Sequence, residues 1–137
     1  MSVKVLLDAN FLLVIPFFRG DVLEEIDNSI GRRTEKIVLT PVHQELERLS
    51  REGPNKVRKQ ADAALKRVEA DDIALVDIEA RRAETVDDLI MRVATSWKCF
   101  VATNDSALRS RLIHAGVPVV YQRQRNRIEV KGAIDFK

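Results

Sequence analysis

Short apolar runs alternate with longer amphipathic stretches along this chain, and that alternation constrains its fold more than any other feature. Val3 to Leu7, Lys36 to Leu39, Ile73 to Ile78, Cys99 to Thr103 and Val117 to Tyr121 read as five strands. The first is almost continuously apolar, as a parallel strand buried on both faces is. Strands separated by helical patterns of this kind form a parallel sheet with helices on both faces, a three-layer α/β/α domain. Right-handed crossovers then bring the C-terminal end of every strand, and the start of each following helix, to one edge of the sheet. Ligand sites in such folds lie at that edge, where the strand order reverses.

The helices carry their own punctuation. Ala9 to Phe18 is predicted helical, bent or ended near Pro16. Asp21 is placed to cap a second helix, with Leu23, Ile26 and Ile30 on one face and Gly31 as its stop. Thr40-Pro41 reads as a helix start, with the threonine at the N-cap; Val42, Leu46 and Leu49 form its inner stripe until Gly53-Pro54. Further helices are predicted over Asn55 to Ala70, Glu84 to Trp97 and Asp105 to Ala115, the last ended by Gly116. Asp71-Asp72 precede the third strand and read as turn residues. A basic tail follows from about residue 122 to residue 137.

A length of 137 residues fits one domain spanning the whole chain, enough to bury about two thirds of its unfolded surface. The single cysteine, Cys99, excludes a disulfide framework or a cysteine zinc site and reads as a small buried hydrophobe. No apolar run approaches the roughly 20 residues of a membrane span, and the N-terminus has no signal-peptide pattern, so a cytoplasmic location is expected. Only five glycines are present, and no glycine loop suited to nucleotide phosphates is among them.

Four carboxylates fall at the predicted active edge. Asp8 ends the first strand, Asp105 follows the fourth, Glu45 lies in the second turn of the helix after strand two, and Asp87 lies in the first turn of the helix before strand four. Singly, Asp8, Asp87 and Asp105 also suit helix caps or helix dipoles. Caps alone do not explain a carboxylate at four corners of one edge. Carboxylates gathered in one place repel, and such a group needs protons or a divalent cation. With the four set aside, 17 acids face 23 Lys and Arg, an excess of +6 that suits a polyanion. The set therefore points to metal-dependent phosphodiester chemistry with oxygen ligands only. Asn10, Thr103 and Asn104 are placed to hydrogen-bond the carboxylates or a metal-bound water, and Asp88 and Glu84 flank Asp87 as lesser candidates. His43 points to a different helix face from Glu45, and His114 suits a helix C-terminus. A haloacid-dehalogenase-type phosphatase needs a second aspartate where this chain has Asn10.

Val5-Leu6-Leu7-Asp8-Ala9-Asn10, Thr40-Pro41-Val42 leading to Glu45-Leu46, Asp87-Asp88-Leu89-Ile90 with Ala94, and Val101-Ala102-Thr103-Asn104-Asp105 with Leu108 together resemble the PIN domain. The resemblance covers nearly the whole chain. The family's aspartate pattern falls on Asp87, Ile90 and Ala94, which selects Asp87 over Asp88. It implies a five-stranded parallel sheet, one or two Mg²⁺ or Mn²⁺ ions on Asp8, Glu45, Asp87 and Asp105, endonuclease activity on RNA, and a tendency to form homodimers. The double aspartate and the Gly116-Val117-Pro118-Val119-Val120-Tyr121 stretch look like PIN nucleases that process ribosomal RNA, particularly archaeal ones. A second branch is the VapC-type toxin, silenced by an antitoxin. A third reading is a non-cutting RNA-binding module with a ribosome-assembly partner. In the tail, Arg123, Arg125 and Arg127 alternate and, if extended, project from one face toward an RNA backbone; a solvated edge strand is the plainer alternative.

Overall fold

The computed structural model describes residues 2–70, 73–124 and 127–132. Strand β1 (Val3–Leu7) sits at the centre of the sheet, flanked in parallel by β2 (Thr34–Leu39) and β4 (Phe100–Ala102). On one side β3 (Ile73–Val76) pairs with β2; on the other, β5 (Val119–Gln124) pairs with β4. The order is β3-β2-β1-β4-β5-β6, so the chain reverses direction across the sheet between β1 and β4. The five expected parallel strands are present. A sixth, β6 (Arg127–Lys131), adds an antiparallel edge to β5, where the sequence reading placed a basic tail with an edge strand as the alternative.

The helices follow the predicted order: α1 (Ala9–Val14) passing into a 3-10 turn (Ile15–Phe17), α2 (Val22–Ile30), α3 (Thr40–Glu52), α4 (Asn55–Ala70), α5 (Val86–Trp97) and α6 (Ser106–His114). Right-handed crossovers put the helices before β3 on one face and α5 and α6 on the other. Accordingly α1, α3 and α4 pack on one another, while α5 rests on β4 and α6 on β5. Val5, Leu6, Phe11, Leu46, Leu89, Ile90, Val101 and Leu112 are among the side chains that close the core. Cys99 joins them, and burial pushes its thiol up to about 12, so it is an inert packing group. No helix among the described residues is long and apolar enough to cross a membrane.

Several boundaries move for identifiable reasons. Leu39, not Thr40, is the N-cap of α3. The Thr40 hydroxyl instead accepts the Ile78 N–H at 3.1 Å and directs its one proton at Asp77 Oδ1 (3.1 Å) and the Ile78 carbonyl (3.2 Å). The β2–β3 ladder ends at the Leu39–Val76 pair, because β2 turns into α3 there; Asp77 and Ile78 are tied to Thr40 rather than to a strand. Val117 belongs to the end of α6, its N–H donating to the Leu112 carbonyl at 2.8 Å around the left-handed Gly116. Strand β5 runs on to Gln124 because β6 supplies its partner. Asp71-Asp72 lie outside the described residues.

One buried charge is part of the frame. Lys36, inside β2 and 8 % exposed, donates to Asp27 Oδ1 of α2 at 2.7 Å, and the same oxygen accepts the Thr34 N–H and hydroxyl. Removing one partner of such a pair strands the other, whereas replacing both by apolar groups is nearly neutral. We expect Asp27→Ala to lower stability by about 2–3 kcal/mol. The double change Asp27→Leu with Lys36→Met should recover most of that loss, as measured by urea unfolding with an unchanged m-value.

Candidate active site at the strand switch point

The reversal of strand order sets the ends of β1 and β4 side by side. Asp8 follows β1 directly, and its N–H donates to the Ala102 carbonyl at 3.0 Å, continuing the parallel ladder. Thr103 follows β4 and continues the next ladder, its N–H reaching the Val120 carbonyl at 3.0 Å. Asp8 and Thr103 are therefore neighbours by strand register, although 95 residues apart in sequence.

The Asp8 carboxylate is 5 % exposed. Its Oδ1 accepts the Ala9 N–H at 2.8 Å at the start of α1, and its Oδ2 accepts the Thr103 hydroxyl at 2.8 Å. Thr103, fully buried, also accepts the Asp105 N–H at 3.1 Å. Asn10 Oδ1 accepts the Asn104 N–H at 2.9 Å, and Asn104 Oδ1 accepts the Gln122 N–H at 2.8 Å. One network thus pins the loop after β4 to the start of α1 and to β5. Of Asn10, Thr103 and Asn104, Thr103 bonds a carboxylate directly, whereas the Asn10 and Asn104 side chains accept backbone N–H groups of the loop after β4 and of β5.

Asp105 is the N-cap of α6; its Oδ1 accepts the Ala107 and Leu108 N–H groups at 2.9 and 3.2 Å. Among the described residues, nothing hydrogen-bonds or ion-pairs with the Asp87 carboxylate in the first turn of α5. Asp8, Glu45 and Asp87 line one cleft of about 410 Å³ together with Asn10, Leu13 and Thr85. Asp105 completes the group electrostatically. Burial, opposed by the Thr103 and Ala9 hydrogen bonds, raises the Asp8 pKa, with the Asp87 and Asp105 charges adding to the rise. Asp87 is raised by burial first and then by Asp105, against the pull of Arg111. The edge is a like-charge site without enough countercharge of its own.

Three local partnerships were not anticipated. Glu45 is gripped by Arg48, three residues on in α3, at 3.1 Å from Nε and 2.5 Å from Nη2. Asp88 forms the capping box with Thr85 and meets Arg111 of α6 at 2.8 Å. Glu84 is held by Arg92 at 2.9 and 3.0 Å and accepts the Arg81 N–H, and it does not line the cleft. The Glu45–Arg48 pair was readable from its helical spacing; Asp88–Arg111 crosses 23 residues and needed α5 and α6 to be set on the same face of the sheet.

Hard carboxylate and amide oxygens, with no thiolate nearby, are donors suited to Mg²⁺ or Mn²⁺. Among the described residues, no three acid, histidine or cysteine side chains form a group able to hold one ion. The reason is local. Asp8 is tied to Thr103, Asp105 to its own helix and Glu45 to Arg48. Mg²⁺ commonly keeps several waters and takes only one or two carboxylates plus substrate phosphate, so this donor set fits a hydrated ion rather than an all-protein cage.

The alternating arginines do not share one strand. Arg123 lies in β5 and Arg127 opens β6, with a bulge at Gln122 to Gln124; Arg125 lies outside the described residues. Both described arginines lean on Glu129, at 3.1 and 4.0 Å. Tyr121 is buried, its hydroxyl on Glu129 at 2.7 Å and its ring under Arg109 at 4.2 Å, so it is a packing residue.

Raised aspartate pKa values set a pH dependence. With divalent ions chelated, Asp8 and Asp87 bind more protons in the folded state than in the unfolded chain, so their contribution to stability is fullest below the ordinary value of about 4 and is lost as pH rises through the raised values. Asp8→Asn removes the buried charge while an amide still accepts from Ala9 and donates to Thr103. In chelator at neutral pH this variant should melt no lower than wild type and gain less from added Mn²⁺, as followed by circular dichroism. A loss beyond roughly 4 °C, about 1 kcal/mol for a domain of this size, would show the carboxylate to be structural.

Residues 5–125 match the family model of the PIN like domain. The chain is 31% identical over 134 residues to ribonuclease VapC4 of Methanocaldococcus jannaschii, covering 96% of this chain and 98% of that protein. Its fold is similar to that of the PIN domain endonuclease Utp24, with a TM-score of 0.77 at 24% identity over 96% of this chain and 93% of that one. A domain of a functionally unknown protein from Methanocaldococcus jannaschii matches at a TM-score of 0.59 and 18% identity, covering 98% and 100% of the two chains. With the acid-lined switch point between β1 and β4 and the family match across nearly its full length, the chain belongs to the PIN domain family.

Proposed function

We propose that this chain is a cytoplasmic, divalent-metal-dependent endoribonuclease that hydrolyses RNA phosphodiester bonds in ribosomal RNA processing. The observation that carries the reading is the meeting of Asp8, Glu45 and Asp87 on one cleft, with Asp105 close enough to raise two of their pKa values. The family match and the likeness to a named ribonuclease support it. One or two of Asp8, Asp87 and Asp105 would ligate a hydrated ion directly and the others would hold its waters, with Glu45, now paired to Arg48, at the rim of the same cleft. Bound there, Mg²⁺ or Mn²⁺ would polarise the scissile phosphate and lower the pKa of a bound water. Thr103 and Asn10 fix the Asp8 side of the cleft, and Asn104 fixes the loop that carries Asp105. Arg48 and Arg111 add positive charge beside the acids for the RNA backbone.

A second reading is a VapC-type toxin with an antitoxin partner, favoured by the 31% identity to ribonuclease VapC4 along nearly the whole chain. Incubation with ribosomal precursor RNA and with tRNA separates the two, and growth arrest on expression, relieved by a co-expressed partner, would favour the toxin.

Asp8→Asn and Asp105→Asn should each lower RNA cleavage by roughly 10²–10⁴-fold, and chelation should do the same to wild type. Asparagine keeps both helix caps, so melting should change little. Full cleavage by both variants would reject the reading. For the β5–β6 hairpin, Arg123→Ala and Arg127→Ala should weaken RNA binding and reduce the slope of log affinity against log salt by about 1 each at most. Glu129 already offsets part of their charge, and an unchanged slope would remove the hairpin from the RNA path.

A further inference from the structure

Beside the acid cleft lies a second hollow of about 490 Å³, lined by Val14, Phe17, Lys56, Gln60 and Gln122. The two are joined by α1, where Leu13 lines the first and Val14 the second. They are joined again through Gln122, whose N–H is held by Asn104 next to Asp105. The hollow thus borders the elements that carry the acid cleft, and its volume is within the roughly 300–1,000 Å³ typical of small-ligand sites.

Phe17 is 60 % exposed, the most open large apolar side chain among the described residues. A lone exposed ring is ordinary; the company of this one is not. Lys56 and Gln60 are one helical turn apart on α4 and share its face. Among the described residues, no ion pair reaches Lys56 and no hydrogen bond engages the side-chain amide of Gln60 or Gln122. The register shift in β5 falls between Gln122 and Gln124, a device that re-aims side chains next to sites. An open ring, a free cation and two unengaged amides in one hollow match the parts of a nucleotide: a flat face, a phosphate and a hydrogen-bonding edge.

We propose that this hollow seats one unpaired nucleobase of the RNA strand, stacked on Phe17, with Lys56 on a flanking phosphate and the two glutamines at the base edge; this rests on the endoribonuclease reading above. Because amides both donate and accept, and every base has a π-face, the site selects single strands over duplexes rather than one base over another.

The test is fluorescence anisotropy in chelator, where binding is read without cleavage, using labelled hexauridylate and an abasic hexamer of the same backbone. Phe17→Leu keeps the apolar bulk and removes the π-face. It should weaken hexauridylate binding about tenfold and leave the abasic strand unaffected, while Phe17→Trp retains or strengthens the difference. Equal affinity of Phe17→Leu and wild type for hexauridylate overturns the proposal, as does an equal loss on both strands. A Phe17→Leu variant with unchanged RNA affinity that converts a dimer to a monomer in sedimentation also overturns it, marking the ring as a protein contact. Base-dependent binding in a wild-type protein that cuts no RNA with Mn²⁺ supports the site and removes the catalytic reading alone.

Discussion

The hydrogen bond from the Thr103 hydroxyl to Asp8 Oδ2 joins two strand ends that would otherwise carry charge apart. It exists because β1 and β4 are parallel neighbours at the point where strand order reverses. Everything at the active edge is built outward from it. Asp105 takes its place because its N–H rests on the same hydroxyl, and Asn10 and Asn104 then brace the loop toward β5. A parallel ladder supplies the spacing, and a single buried hydroxyl converts that spacing into orientation.

This arrangement holds negative charge in a place that does not favour it. The Asp8 carboxylate is buried, and its two hydrogen bonds do not outweigh desolvation and the neighbouring aspartates. The protein neutralises its periphery rather than its centre: Arg48 takes Glu45, Arg111 takes Asp88 and Arg92 takes Glu84. Asp8 and Asp87 are left without a cationic partner at hydrogen-bonding distance among the described residues. A cation at such an edge would offset the repulsion, which is the physical basis for the metal-dependent reading proposed above.

Much of the fold was legible because its signals are local. Proline and glycine punctuation located the breaks at Pro16, Gly31, Gly53-Pro54 and Gly116, and a 3.6-residue apolar period located Val42 and Leu46. What escaped was decided by partners. Thr40 looks like a cap, yet Leu39 caps the helix and the threonine ties the chain beyond β3. The basic tail reads equally as a free arm or an edge strand, and the pairing of Ile128 and Val130 with β5 makes residues 127–131 an antiparallel edge. Lys36 reads as the charged start of a strand, yet it lies inside one, closed over by Asp27.

The same division applies to the site. By itself the sequence determined which oxygen donors stand at strand ends and helix starts, because element boundaries follow from local periodicity and capping chemistry. It also carried the motifs by which the family is identified. Only the tertiary structure decided that β1 and β4 adjoin, that Asp8 faces Thr103, and that Asp88 is held by Arg111 while, among the described residues, no arginine pairs with Asp87. Those outcomes depend on strand register and on side chains meeting across tens of residues, and a one-dimensional pattern encodes neither distance nor direction between elements.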